Sequence, residues 1–371
     1  MESTIQTFHH AGQDFTKCKK ILVCDGYKNK ETAGNKGTPK SLMRVGIVND
    51  AQRANYEAFK VLLAKKVEEQ ADSPGKEFWN TELVVLPSRH GYGFALKEAL
   101  KLVVTKYVCV IQHDRTFLRR TPVRQVVAAM ERYPEVKYVG MLMRSNLLYL
   151  EQFLGKYGKK WAEEHGGMIL KPEDLRLPKE EYSGDGVAEK LAAEHAGCGE
   201  RYVGLRTNYL GSVSYQKHLG VRGTMDLYPA SEALEEERKE ADFQGSLIPT
   251  LFWYDNVHVV LTEHYRDFVF DPALQLVAKG GFVEDKLSPA MVTGCKTKGL
   301  KEGFDKFGCY LLDDHLGMAF TGHSDGGNFM TQEQRVEAVA GYMKEANISE
   351  GVVKEAKGAM EAEEGDFSFL E

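Results

Sequence analysis

The chain reads as an α/β protein built on a mostly parallel sheet flanked by helices. Three observations predict this. Strand-like and helix-like segments alternate through the first 150 residues. The strand-like segments are short apolar runs that stop at a turn or a polar tip. Composition is that of a globular protein, 43% hydrophobic and 27% charged over 371 residues. Such a length buries a substantial core and accommodates one large or two ordinary domains. Lys and Arg number 48 against 54 Asp and Glu, a net charge of −6, so no general affinity for nucleic acid or anionic membrane is implied.

"KKILVCDGY" (19–27) is an apolar strand closed by Asp25 and Gly26. "RANYEAFKVLLAKKVEEQ" (53–70) has helical spacing, with Tyr56, Phe59, Leu63 and Val67 on one face. "TELVVLP" (81–87) is a strand that stops at Pro87, and "GFALKEALKLVV" (93–104) is a helix with Leu96, Leu100 and Val103 roughly aligned. The strand "KYVCVIQHD" follows, then a helix through "VRQVVAAMERY" (123–133) and a strand at "VKYVGMLM" (136–143). This succession implies βαβ units, in which ligands gather beyond the carboxyl ends of the strands. The polar tip Gln112-His113-Asp114-Arg115 falls at such an end.

Past residue 150 the pattern loosens. Residues 151–200 mix helical pieces with Gly, Lys and Glu, and 231–242 is a charged, exposed helix. We read 151–245 as a helical insertion. Strand character returns at 208–216 and 250–261, and the tail 331–371 is a peripheral helix with a frayed end. The expected organisation is one domain over 1–330 followed by that tail.

Six cysteines, at 18, 24, 109, 198, 295 and 309, form no CxxC pair, and Cys24 and Cys109 lie in apolar runs as reduced core thiols do. A single sequon at Asn347 is weak support for secretion. The opening lacks a signal-peptide core, and no apolar run approaches the roughly 20 residues of a membrane helix. The expectation is a cytoplasmic chain with no membrane span. The Golgi or another compartment replaces it if a targeting segment was removed from the front.

Each motif has a functional and an ordinary reading. Asp25 could accept base or ribose hydrogen bonds while Gly26 lets the backbone approach a ligand, or the two form a plain turn. Arg89, His90, Gly91 and Gly93 precede a helix start, where amides and the helix dipole favour anions, though a GxG turn by itself says little. His258, Val260, Thr262 and His264 would share one face of an extended strand, but their spacing does not suit a structural zinc site. Trp253 and Tyr254 could stack on sugar rings, although most such aromatics are core.

In order, "ILVCDGY", "SRHGYGFALKEAL", a strand ending "QHD", "GGFVED" and "GHSDG" occur over residues 18–327. That order resembles the nucleotide-sugar glycosyltransferases of the GT-A fold, especially the family-two-like enzymes. There is one departure. Such enzymes begin with a strand before the helix that precedes "KKILVCDGY", whereas this chain starts inside that helix. Either its front is shortened or the first strand has been lost.

The resemblance implies a role for each motif. Its Asp-x-Asp sequence binds a divalent cation bridging the donor diphosphate. Here only the last carboxylate, Asp114, survives, with Gln112 and His113 left to contact donor sugar or diphosphate; a salt bridge from Asp114 to Arg115 or Arg119 is the ordinary alternative. Imidazole suits Mn²⁺ and oxygen suits Mg²⁺ or Mn²⁺, so His323, better placed than His315, would be a second metal ligand. Asp25, Gly26, Arg89 and Gly91 would bind the donor, and Trp253 and Tyr254 the acceptor. Asp285 matches the general base of an inverting transfer, with Glu284 behind it or touching the acceptor. Partners would then be a nucleotide-diphosphate sugar and a hydroxyl-bearing glycan or small molecule. A sugar nucleotidyltransferase, or a non-catalytic nucleotide- or glycan-binding module, are the rivals.

Overall fold

The computed structural model describes residues 1–29, 46–143, 146, 246–313 and 319–323. The strand expected at 208–216, the helix at 231–242, the insertion, the tail and His315 lie outside them. In chain order the main strands are β1 (Lys20–Cys24), β2 (Thr81–Val85), β3 (Tyr107–Val110), β4 (Arg115–Phe117), β5 (Tyr138–Met141), β6 (Ser246–Pro249), β7 (His258–Leu261), β8 (Cys309–Asp313) and β9 (Thr321–His323). The main helices are α1 (Asp50–Glu69), α2 (Tyr92–Leu100), α3 (Val123–Arg132) and α4 (Glu284–Lys298). The protein is mixed α/β. Its described residues fall into two compact units, Lys19–Ala99 and Met1–Cys18 with Leu100–His323.

In the smaller unit β1 and β2 pair in parallel, from Lys20 opposite Thr81 to Cys24 opposite Val85. Parallel neighbours need a crossover, which α1 supplies. Its start is specified locally. Asn49 Oδ1 accepts the Gln52 N–H at 2.8 Å and Gln52 Oε1 accepts the Asn49 N–H at 3.0 Å, a reciprocal capping box. The apolar face expected on α1 is only partly used, since Leu63 is buried whereas Phe59 is 39% exposed. Helix α2 stops at Leu100 rather than 104, and Val104 stands 94% exposed beyond it.

In the larger unit α3 buries Val123, Val126, Ala129 and Met130, the stripe its spacing predicts. The main sheet has the order β3-β7-β5-β8-β6. Only β5 and β8 run parallel; β7 is antiparallel to β3 and β5, and β6 to β8. This corrects the expectation of a mostly parallel sheet. The reason is the insertion of β7 between β3 and β5, two strands close in sequence, with only β4 and α3 between them, but separated in the sheet. The strand expected over 250–261 is also divided. β6 ends at Pro249, residues 250–257 are irregular, and only 258–261 pair as β7.

A small second sheet joins β4 to β9 antiparallel. The N-terminal segment packs on it: Phe8, Phe15 and Phe117 form an edge-to-face cluster with centroids 5.2–6.1 Å apart. The Phe117 N–H also donates to Thr7 Oγ1 at 3.0 Å. Among the described residues no helix is long and apolar enough to cross a membrane. Cys18, Cys24, Cys109, Cys295 and Cys309 are not joined to one another by disulfides, and burial pushes the Cys24 and Cys295 thiols up, the latter to about 11.

Candidate functional site

At the end of β1 the Asp25 carboxylate is engaged by its own turn and by the loop after β2. Oδ1 accepts the N–H groups of Gly26 at 2.8 Å and His90 at 2.7 Å, and Oδ2 accepts that of Gly91 at 2.7 Å. Gly91 has φ of +79°, a conformation that suits glycine, and this turns its amide toward the carboxylate. The amides before α2 that could greet a donor phosphate are therefore capped from within. A Cβ on Gly26 would lie 2.3 Å from the Ser88 carbonyl carbon, so the close approach there is made by the protein's own backbone. Arg89 covers Gly46 and places Nη1 3.9 Å from Asp25 Oδ2. The geometry of Asp25, Gly26, Arg89 and Gly91 is that of a tightly tied turn.

Gln112, His113 and Asp114 form the turn after β3 in the larger unit. His113 is exposed, while Gln112 and Asp114 are half-buried. Thr4 donates its hydroxyl to the His113 carbonyl at 2.6 Å, and Arg115 donates Nε–H to Gln112 Oε1 at 3.2 Å. Arg119 is buried, donating Nε–H to the Ala319 carbonyl at 3.1 Å with its guanidinium 3.7 Å from the centre of the Phe320 ring. The β4–β9 pairing sets His323 opposite Arg115, the residue after Asp114. The backbones of Asp114 and His323, two positions from distant parts of the chain singled out by motif order, thus lie one residue apart in register. Among the described residues, no three His, Cys, Asp or Glu side chains come together as a metal group.

A third locus joins Glu284, named in the sequence, to Asp255, which was not singled out there. Asp255 is 5% exposed, and its Oδ2 accepts the Glu284 N–H at 2.9 Å. Glu284 returns the bond, its Oε2 accepting the Asp255 N–H at 3.1 Å. The carboxylate so anchors the first residue of α4. Burial pushes Asp255 up to about 7, and the neighbouring Glu284 charge adds to this against the lowering pull of the Glu284 and Val283 amides. The Trp253 indole opposes the rise, favouring the charged form. The result is a buried carboxylic acid poised near neutrality. A carboxyl in the otherwise apolar run "LFWYDNVHVV" was the available signal.

Asp285 is placed differently. It is exposed, and its Oδ2 accepts the Phe282 N–H at 2.9 Å, closing the turn before its own helix. Trp253 is 1% exposed, with its ring centroid 4.3 Å from Tyr138 and 5.1 Å from Tyr265. Its backbone N–H donates to Ser288 Oγ at 2.9 Å. The ring belongs to the core and presents no face to an acceptor, a correction to its expected role. Tyr254 is half-buried, and its carbonyl accepts the Tyr138 hydroxyl at 2.8 Å. His258 is fully buried, and burial pulls it down to about 4.

The carboxyl end of β5 joins the second and third loci. Asn256 Nδ2–H donates to the Met141 carbonyl at 2.8 Å, and the Phe320 N–H donates to the Leu142 carbonyl at 2.7 Å. Asn256 follows Asp255, and Phe320 precedes β9. Both segments are hung on adjacent carbonyls at one strand end. The chain matches no family model, no curated protein and no solved structure.

Proposed function

We propose that the chain is a GT-A-like glycosyltransferase that moves a sugar from a nucleotide diphosphate to a hydroxyl acceptor. The observation that carries this reading is the β4–β9 register, which pairs the His323 backbone with that of Arg115, one residue along from Asp114. Motif order alone had named Asp114 and His323 as metal ligands. A carboxylate oxygen and an imidazole nitrogen suit Mn²⁺, and Mg²⁺ is commonly held by one or two carboxylates with substrate phosphates and water completing its shell. Asp114 and His323 would hold the ion, which supplies charge neutralisation at the departing diphosphate.

The chain's own residues do the remaining work. The acceptor hydroxyl gives its proton to a carboxylate of the Glu284–Asp285 pair while its oxygen bonds to the anomeric carbon. The bond from that carbon to the diphosphate breaks, and the electron pair leaves with the nucleotide. The decisive experiment incubates the full chain with UDP-, GDP- and dTDP-sugars and Mn²⁺, follows donor cleavage, and measures UDP and GDP binding by calorimetry. Metal should tighten binding, and Asp114→Ala should abolish that tightening. Equal affinity with and without metal would overturn the assignment.

A further inference from the structure

Resting on that transferase reading, we infer that Asp255 is a positioning residue which holds Glu284, rather than Asp285, as the carboxylate that takes the acceptor proton. The two candidates differ in what holds them. Asp285 bonds only across its own turn, to the Phe282 N–H at 2.9 Å, and contributes to the start of the helix. Glu284 is tied to another segment at both its backbone and its side chain, by bonds of 2.9 Å and 3.1 Å to Asp255. The second bond engages Oε2 alone, so Oε1 is the oxygen left for the acceptor. A base held from two sides loses less freedom when the acceptor arrives.

Asp255 itself is anchored by its surroundings. Ser288 exchanges hydrogen bonds with the Trp253 backbone, at 2.9 Å to its N–H and 3.2 Å to its carbonyl, one turn along α4 from Glu284. Asn256 fixes the other flank on the Met141 carbonyl. The titratable groups around the Asp255 carboxyl are Glu284 from α4 and Tyr138 from β5, and neither supplies a positive charge. With the carboxyl 5% exposed and no cation beside it among the described residues, burial favours its acid form. Asp255 in its acid form leaves Glu284 as the single charge of the pair. As Asp255 ionises, a second negative charge enters the pair beside Glu284, an arrangement that burial opposes.

In the step itself the acceptor O–H proton passes to Glu284 Oε1. The acceptor oxygen bonds to the anomeric carbon as the bond to diphosphate breaks, and the nucleotide diphosphate carries away the electron pair. Neutral Asp255 exchanges nothing with substrate.

The test uses the full chain and two readouts. Asp255→Asn keeps an oxygen for the Glu284 N–H, and Glu284→Gln keeps one for the Asp255 N–H, so both variants retain the mutual bonds. Transfer from the sugar-nucleotide panel should fall roughly 10²–10⁴-fold in Glu284→Gln, the usual worth of a positioned base, and less than about tenfold in Asp285→Asn. The wild-type kcat profile should show an inflection near neutral pH that Asp255→Asn removes, which a purely structural role would not do. In urea melts, Asp255→Asn and Glu284→Gln should be non-additive at pH 8, where both carboxyls are charged, and additive at pH 5. Additivity at both pH values overturns the inference whatever the transfer assay shows. Transfer retained in Glu284→Gln but lost in Asp285→Asn also overturns it and leaves the transferase reading standing. No transfer by the wild type from any donor takes down both, even with the coupling intact.

Discussion

Asp255 and Glu284 cap one another across two segments, each accepting the other's backbone N–H at 2.9 Å and 3.1 Å. One of these carboxyls is buried and the other exposed. Its burial makes Asp255 responsive to pH, with a definite sign.

A carboxyl raised to about 7 by burial takes up a proton on folding. Its stabilising contribution is complete below the unfolded value, about 3.9, and is lost as pH rises toward 7. Between pH 5 and 8 the wild type should lose about 3 kcal/mol relative to Asp255→Asn, which has no such proton. Urea melts of both proteins at the two pH values measure this difference directly. Parallel curves would mean that Asp255 is ionised throughout.

His258 carries the opposite sign. Burial holds it down to about 4, opposed by a hydrogen bond with the Asn256 carbonyl, so the folded protein keeps it neutral. Its stabilising contribution is complete above about 6.5 and disappears as pH falls toward 4, a loss of about 3 kcal/mol. His264 is shifted the same way, to about 4. His258→Leu should remove about 3 kcal/mol of acid-side destabilisation between pH 6.5 and 4 in thermal melts, relative to the wild type. An unchanged slope would place the acid response elsewhere.

Trp253 fills the space between Tyr138, His258 and Tyr265, with centroids 4.3, 5.5 and 5.1 Å away. Trp253→Ala should therefore cost about 3–5 kcal/mol of stability, with Trp253→Phe recovering much of it. Stacking on a sugar would show instead as weaker acceptor binding with stability intact. Denaturation alongside acceptor titration separates the two.

Asp25 holds three backbone amides at 2.7–2.8 Å. Asp25→Ala leaves them half-buried and unpaired, so it should cost roughly 2–4 kcal/mol. Asp25→Asn should recover only part, because its amide group meets one of those N–H groups as another donor. Nucleotide binding lost at unchanged stability would instead restore the donor role.

The sequence by itself determined the local elements. Apolar runs with β-branched residues appear as β1, β2, β3 and β5, and the stripe of Val123, Val126 and Met130 as α3. The helix boundary at Asn49 and the turn at Asp25-Gly26 are likewise matters of short-range hydrogen bonding. Tertiary structure decided strand direction, because alternation of period two is the same whether a neighbour runs parallel or antiparallel. It placed β7 between β3 and β5 and set His323 opposite Arg115, pairings that depend on which distant faces meet. It also separated Trp253 from the surface and Asp255 from water. A side chain's burial, and with it the charge of a carboxyl, is a property of everything packed around it rather than of its neighbours in the chain.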